Sequence, residues 1–196
     1  MSDEPRAGFG SGPKKPEVRF GVLVLQDAPL PELRERWRQV EELGFDFLFV
    51  ADHARHTSDP RHTWFDGWTM LVAMALETNA IRIGTLVANP VLHRPTVLAR
   101  AAAAVDHLSA GRLELAIGQG VERFDHAETG TPYWPPAERA RRFREYVEIV
   151  DGVLRSSEAP FNFDGDYHEA HDVVLAPPPL KRPRPPIMVV VVRRPC

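Results

Sequence analysis

Short apolar runs followed by helical patterns recur along the chain, spaced by roughly 30 residues, the period of a βα repeat. The first run is Phe20 to Leu25 and the second is Phe47 to Ala51. The third is Ile81 to Val87 and the fourth is Arg112 to Ile117. The first is short, β-branched and apolar on both faces, which suits a fully buried parallel strand, and the second reads as another buried strand; the third and fourth are taken as further strands of the repeat. Leu33, Trp37, Val40 and Leu43 recur at helical spacing after the first run, with Gly44 as the expected stop. Asp66 is placed to cap a second helix from Trp68 to Thr78. A third helix is expected to bury Val97, Ala101, Ala104, Val105 and Leu108. A fourth, over about Ala137 to Leu154, should bury Phe143, Tyr146, Val147, Val150 and Leu154.

The connections are unequal. Helix-to-strand turns such as Leu43-Gly44-Phe45 are tight, whereas strand-to-helix segments are long and polar. In a βα barrel those long segments gather at the C-terminal face, where chemistry is done. A doubly wound sheet shares this pattern, so periodicity alone leaves both open. The rhythm breaks after the fourth helix. Phe161 to Leu175, turning at Asp164-Gly165, reads as a hairpin-like excursion. The Pro-rich stretch Pro177 to Pro186 then leads to a fifth strand, Ile187 to Val192.

Composition narrows the function classes. The 196 residues are 43% hydrophobic and 26% charged, with a net charge of -3. That is ordinary globular composition, and nothing in it points to nucleic acid or an anionic membrane surface as partner. The single cysteine, Cys196, excludes a disulfide framework and fits a reducing cytoplasm. Residues 1–16 are rich in Gly, Pro and charge without an apolar core. They read as a disordered tail ahead of one domain over 17–196.

Four local features could carry chemistry. Asp52-His53 ends the second strand, where a histidine can move a proton and a carboxylate can orient it or cap the loop. His53, His56 and His62 form H-x2-H-x5-H, a ligand type that suits zinc, in a segment broken by Pro60. Gly118-Gln119-Gly120 follows the fourth strand and begins like a dinucleotide fingerprint, but Arg123 stands where the third glycine belongs. Its glycines can instead let a planar ring or phosphate approach the backbone, or simply make a tight turn. The segment Asn89 to Pro95 holds His93 and Arg94, and Arg94 could meet an anion or stay solvated.

Taken together, these segments resemble the luciferase-like monooxygenase family. The strongest block is Ile81 to Gly120, "IRIGTLVANPVLHRPTVLARAAAAVDHLSAGRLELAIGQG", preceded by "ELGFDFLFVADH". "HAETGTPYWPPAERARRFREYVEIVDGVL" and "FDGDYHEAHDVVLAPPPLKRPRPPIMV" follow in order, so the resemblance spans about Val18 to Val189. It implies a TIM (β/α)8 barrel that binds deazaflavin coenzyme F-420, or alternatively FMN, at its C-terminal face. It also implies an oxidoreductase moving hydride between that ring and a small organic substrate. The F-420-dependent subgroup is the nearest in pattern.

By position, Asp52 and His53 match the acidic and histidine pair beside the reactive edge of the ring, which makes His53 the expected proton donor. Leu86–Val87 matches a non-prolyl cis peptide under the ring, and Asn89, Gln119 and Gly120 match positions lining it. Val121 stands where some deazaflavin dehydrogenases carry a catalytic Glu, with Glu122 next to it, which weighs against a sugar-phosphate dehydrogenase. Val190-Val191-Val192 replace the family's Gly-rich segment for the cofactor tail, and Arg193-Arg194-Pro195-Cys196 follow. About five of eight strands are accounted for. The expectation is therefore an incomplete barrel, from a truncated or frame-shifted product with little cofactor affinity of its own. Family members commonly dimerise, so a homodimer is compatible with the resemblance. Two other readings stay open: a metal-dependent hydrolase on a βα barrel using His53, His56 and His62, and an inactive fragment that pairs its open edges with another chain.

Overall fold

The computed structural model describes residues 18–190. The expected tail over 1–16, and the part of the fifth strand beyond residue 190, lie outside them. Five strands form one parallel sheet: β1 (Gly21–Leu23), β2 (Phe47–Val50), β3 (Arg82–Ala88), β4 (Leu113–Ile117) and β7 (Ile187–Val189). The helices between them are α1 (Leu30–Glu42), α2 (Gly67–Glu77), α3 (Pro95–Leu108), α4 (Arg123–Thr129) and α5 (Pro136–Arg155). A separate antiparallel hairpin, β5 (Phe161–Asp164) and β6 (Glu169–Val173), precedes β7, as the Asp164-Gly165 turn predicts.

Strand order decides between the two architectures left open by periodicity. The order β1-β2-β3-β4-β7 follows the chain without reversal. A doubly wound sheet reverses at a switch point, whereas a barrel does not. Helices α1, α2, α3 and α5 pack side by side, each against the next. One face of the sheet packs against them: Leu48 and Val50, Ile83, then Leu113, Leu115 and Ile117 belong to the same core as Leu33, Trp37, Leu71, Leu98 and Ile149. The other face carries Phe47 stacked on Phe49, Gly84, and the Arg82–Glu114 ion pair. This is an arc of a βα barrel.

The α2–β3 turn is gripped from both sides. Arg112, just ahead of β4, donates from Nη2 to the carbonyls of Ala75 and Thr78 at 2.8 and 2.9 Å. Its Nη1 reaches Thr78 Oγ1 and the Ile81 carbonyl, and its Nε the Ser109 carbonyl. Those acceptors include carbonyls at the end of α2, which a guanidinium suits in both geometry and charge. On the opposite side, the Glu41 carboxylate of α1 accepts from the backbone N–H of Asn79, Ala80 and Ile81 at 2.7 to 3.0 Å. Burial would raise this carboxyl, but the three N–H donors hold it below the usual carboxylate range.

Several expectations need correcting. β1 is not fully buried: Gly21 and Leu23 are exposed, because among the described residues only β2 pairs with it. Leu43 is 74% exposed, since it caps α1 rather than continuing its face. In α3 the buried face is Leu98, Ala99, Ala102, Ala103, Val105 and Asp106, while Val97, Ala104 and Leu108 are exposed. Apolar residues occur nearly all round that helix, so bulk gave no phase; small alanines are what fit between the sheet and α5. Val147 is only partly buried, and Ile149 and Val153 take its place on the inner face of α5. Helix α4 has no counterpart in the sequence reading, being too short to show periodicity.

Replacing Arg112 with Ala is expected to lower unfolding free energy by about 2–4 kcal/mol, because buried carbonyls lose their donors. Arg112→Lys should recover only a small part, lacking the planar fork. Urea denaturation followed by circular dichroism measures both.

Candidate active site

The C-terminal ends of β2, β3 and β4 converge on a half-open cavity of about 80 Å³. Val87, Val121 and Val190 supply its apolar walls. Gly118, Gln119 and Gly120 form its turn, with His53 and Asn89 among its polar lining. Six of the sequence-selected residues therefore meet: Asp52, His53, Val87, Asn89, Gln119 and Gly120. Leu86 does not line the cavity, and its side chain is 38% exposed. The Leu86–Val87 peptide is cis, and the β3–β4 register shifts between Thr85 and Ala88 at that point.

The glycine turn has no room for side chains. A Cβ on Gly118 would lie 2.3 Å from Val87 Cγ2. Gly120 has φ +66, and a Cβ there would lie 2.6 Å from Val91 Cγ2 and 3.2 Å from Asn89 Oδ1. The Gly120 carbonyl accepts from buried His126 Nε2 at 3.1 Å, which ties the turn to α4.

Two buried carboxylates organise the site. Asp52 is 2% exposed and accepts from the Asn89 backbone N–H at 2.8 Å, from His93 Nε2 at 3.0 Å and from Trp68 Nε1 at 3.4 Å. Asp125, on α4, is fully buried. Its Oδ2 accepts from His53 Nδ1 and Asn89 Nδ2, both at 2.8 Å, and its Oδ1 from the Ala54 N–H at 2.8 Å. Asn89 thus bridges the two carboxylates, and each carboxylate holds one histidine. Burial alone would lower the His53 imidazole. The Asp125 carboxylate outweighs that, with Asp52 and Glu122 adding, and holds His53 above the usual histidine range. His93 is likewise pulled down by burial and pushed higher by Asp52, with Asp66 adding.

Helix α4 also pins the β2–α2 segment that carries His53. Arg55 pairs with Glu128 at 2.7 Å and lies 4.5 Å over the Phe124 ring. At the segment's other end, Trp64 Nε1 donates to the His53 carbonyl and the Phe65 N–H to the Gln26 carbonyl. His56 and His62 stack on each other at 4.6 Å. The H-x2-H-x5-H histidines do not converge, and among the described residues no three His, Cys, Asp or Glu are grouped to hold a metal ion. Arg94 is exposed at the start of α3 and lies outside the cavity. Sequence reasoning missed Asp125 because α4 was not foreseen. It noticed His93 but had no partner for it.

A family model described as luciferase-like monooxygenase matches residues 11–194. An F-420-dependent glucose-6-phosphate dehydrogenase of Amycolatopsis mediterranei is 33% identical over 158 residues, covering 78% of this chain and 44% of that protein. A 5,10-methylenetetrahydromethanopterin reductase of Archaeoglobus fulgidus is 29% identical over 149 residues, covering 76% and 41%. The chain spans less than half the length of these two relatives. The solved coenzyme F-420-dependent tetrahydromethanopterin reductase of Methanopyrus kandleri superposes with TM-score 0.75 at 22% identity, over 89% of this chain and 50% of that one. That likeness is one of fold.

The raised histidines fix the sign of a pH effect. A group that binds its proton more tightly when folded stabilises the fold fully below its unfolded value, about 6.5 for histidine. That contribution is lost as pH rises through the folded value. The stability gap between wild type and a His53→Gln, His93→Gln double variant should therefore be wider at about pH 5 than at about pH 9 in urea titrations. An equal gap at both would contradict the assignment.

Proposed function

This chain belongs to the luciferase-like monooxygenase family, and from that premise we propose that its cavity receives the ring of coenzyme F-420, with FMN as the alternative. The activity is that of an oxidoreductase acting on a small organic substrate. The observation that carries this reading is the cavity's lining. Valine walls and side-chain-free glycines suit the faces of a planar ring, while His53 offers a hydrogen-bonding group to its polar edge. Relatives named as F-420-dependent favour the deazaflavin. When bound, the ring would accept or supply the hydride.

The protein's part is to orient the ring and handle a proton. His53 Nδ1 is committed to Asp125, and among the described residues its Nε2 has no partner, which leaves that nitrogen to give or take a proton. Among the described residues that line the cavity none is Lys or Arg. The lining thus suits the ring rather than an anionic tail. Val121 rather than a carboxylate lines the wall beside Gly120, so the substrate is left as a small organic molecule without a sugar-phosphate assignment. A cytoplasmic location, following the single cysteine, and a homodimer, following the family resemblance, belong to the same proposal.

Fluorescence titration of F-420 into the purified chain is expected to give weak but saturable quenching, in keeping with the low cofactor affinity read from the sequence. Gly118→Val should abolish it by filling the space beside Val87, whereas His53→Ala should retain binding within about tenfold, a change of roughly 1.4 kcal/mol. A wild-type signal that never saturates with either F-420 or FMN would sink the reading.

A further inference from the structure

We infer that Asp125 is a positioning residue that holds His53 in the tautomer protonated at Nδ1 and leaves Nε2 as the nitrogen open to the cavity. Its role in chemistry rests on the function proposed above; the positioning itself rests on geometry alone. The carboxylate accepts three hydrogen bonds from the protein and is closed off from solvent. It is fully buried, and its Oδ1 is taken by the Ala54 N–H. Its Oδ2 is shared by two donors at 2.8 Å, His53 Nδ1 and Asn89 Nδ2. Asn89 is itself oriented, because its Oδ1 accepts from the Val91 N–H at 3.0 Å, which obliges Nδ2 to face Asp125. A carboxylate so placed accepts from Nδ1 only if that nitrogen carries the proton. The neutral ring then presents Nε2 as an acceptor, opposite to the tautomer that free histidine prefers.

Three further contacts limit how far the ring can turn. The Phe124 ring lies 5.5 Å from the imidazole, centroid to centroid. Arg55 covers Phe124 and pairs with Glu128, so it holds the segment just after His53 onto α4. The neighbouring Ala54 N–H is anchored by the same carboxylate that holds His53. The charged groups that act on the ring are Asp125 and Glu122 around the start of α4 and Asp52 at the end of β2. Arg55 is neutralised by Glu128. Asp125 is the one in direct contact.

Long-range nitrogen–proton NMR of protein carrying nitrogen-15 histidine tests the assignment without cofactor. In the wild type above its titration, His53 is expected to be protonated at Nδ1. In Asp125→Asn, the titration should move to lower pH, and the neutral ring should shift toward the Nε2-protonated tautomer. A purely structural Asp125 would move neither reading. Wild-type His53 protonated at Nε2 overturns the inference. So does an Asp125→Asn protein with native circular dichroism whose His53 titrates as in wild type. If that variant does not fold, the wild-type tautomer alone decides. Failure to bind F-420 or FMN, with both NMR readings as expected, would overturn the proposed function and leave the positioning role standing.

Discussion

Two carboxylates without access to water have to be satisfied at the mouth of this fold, and the local structure is organised around doing so. An isolated buried charge would cost several kcal/mol. Asp52 and Asp125 avoid that cost by taking donors from four parts of the chain. Asn89 supplies one donor from its backbone and another from its side chain, so the segment after β3 cannot shift without unsatisfying both. The histidines complete the arrangement, one on each carboxylate. The ends of β2 and β3 and the start of α4 are therefore one polar unit. The cavity beside it keeps its shape because that unit cannot relax piecemeal.

The opposite end of the sheet is held by a different device with the same logic. There the turn from Thr78 to Ile81 is fixed by an anion on its N–H groups and a guanidinium on its carbonyls. Neither Glu41 nor Arg112 touches the cavity. They keep α2 and β3 in register, and β3 carries Val87 and Asn89 to the site. Stability at one end and chemistry at the other are thus separated along the same strands, as in other βα barrels.

Much of this was legible in the sequence, for physical reasons. Strands such as Phe47–Val50 are buried along their whole length, so they read as unbroken apolar runs. Asp66 capped α2 as its type and position predict. The cavity residues from three separate segments are legible together through the family resemblance, and parallel order brings the ends of their strands to one rim. What stayed hidden depended on distance or on phase. Asp125 sits in a seven-residue helix, and its partner His53 is 72 positions earlier; no local pattern links them. The inner face of α3 was misjudged because alanine carries little phase information when nearly every neighbour is apolar. The exposure of β1 reflects the absence of a second neighbouring strand among the described residues, which strand composition cannot express.

The segment between β2 and α2 is fastened only at its ends. Asp125 and Trp64 secure the side near His53, and Gln26 takes the Phe65 N–H, while the stretch from Ser58 to His62 makes contacts chiefly within itself. Changes of sequence or length in that tip need not disturb the tethered histidine. Mutation there can explore new ligand contacts at little risk to the reactive machinery, so this chain carries a built-in separation between what may drift over generations and what must be kept.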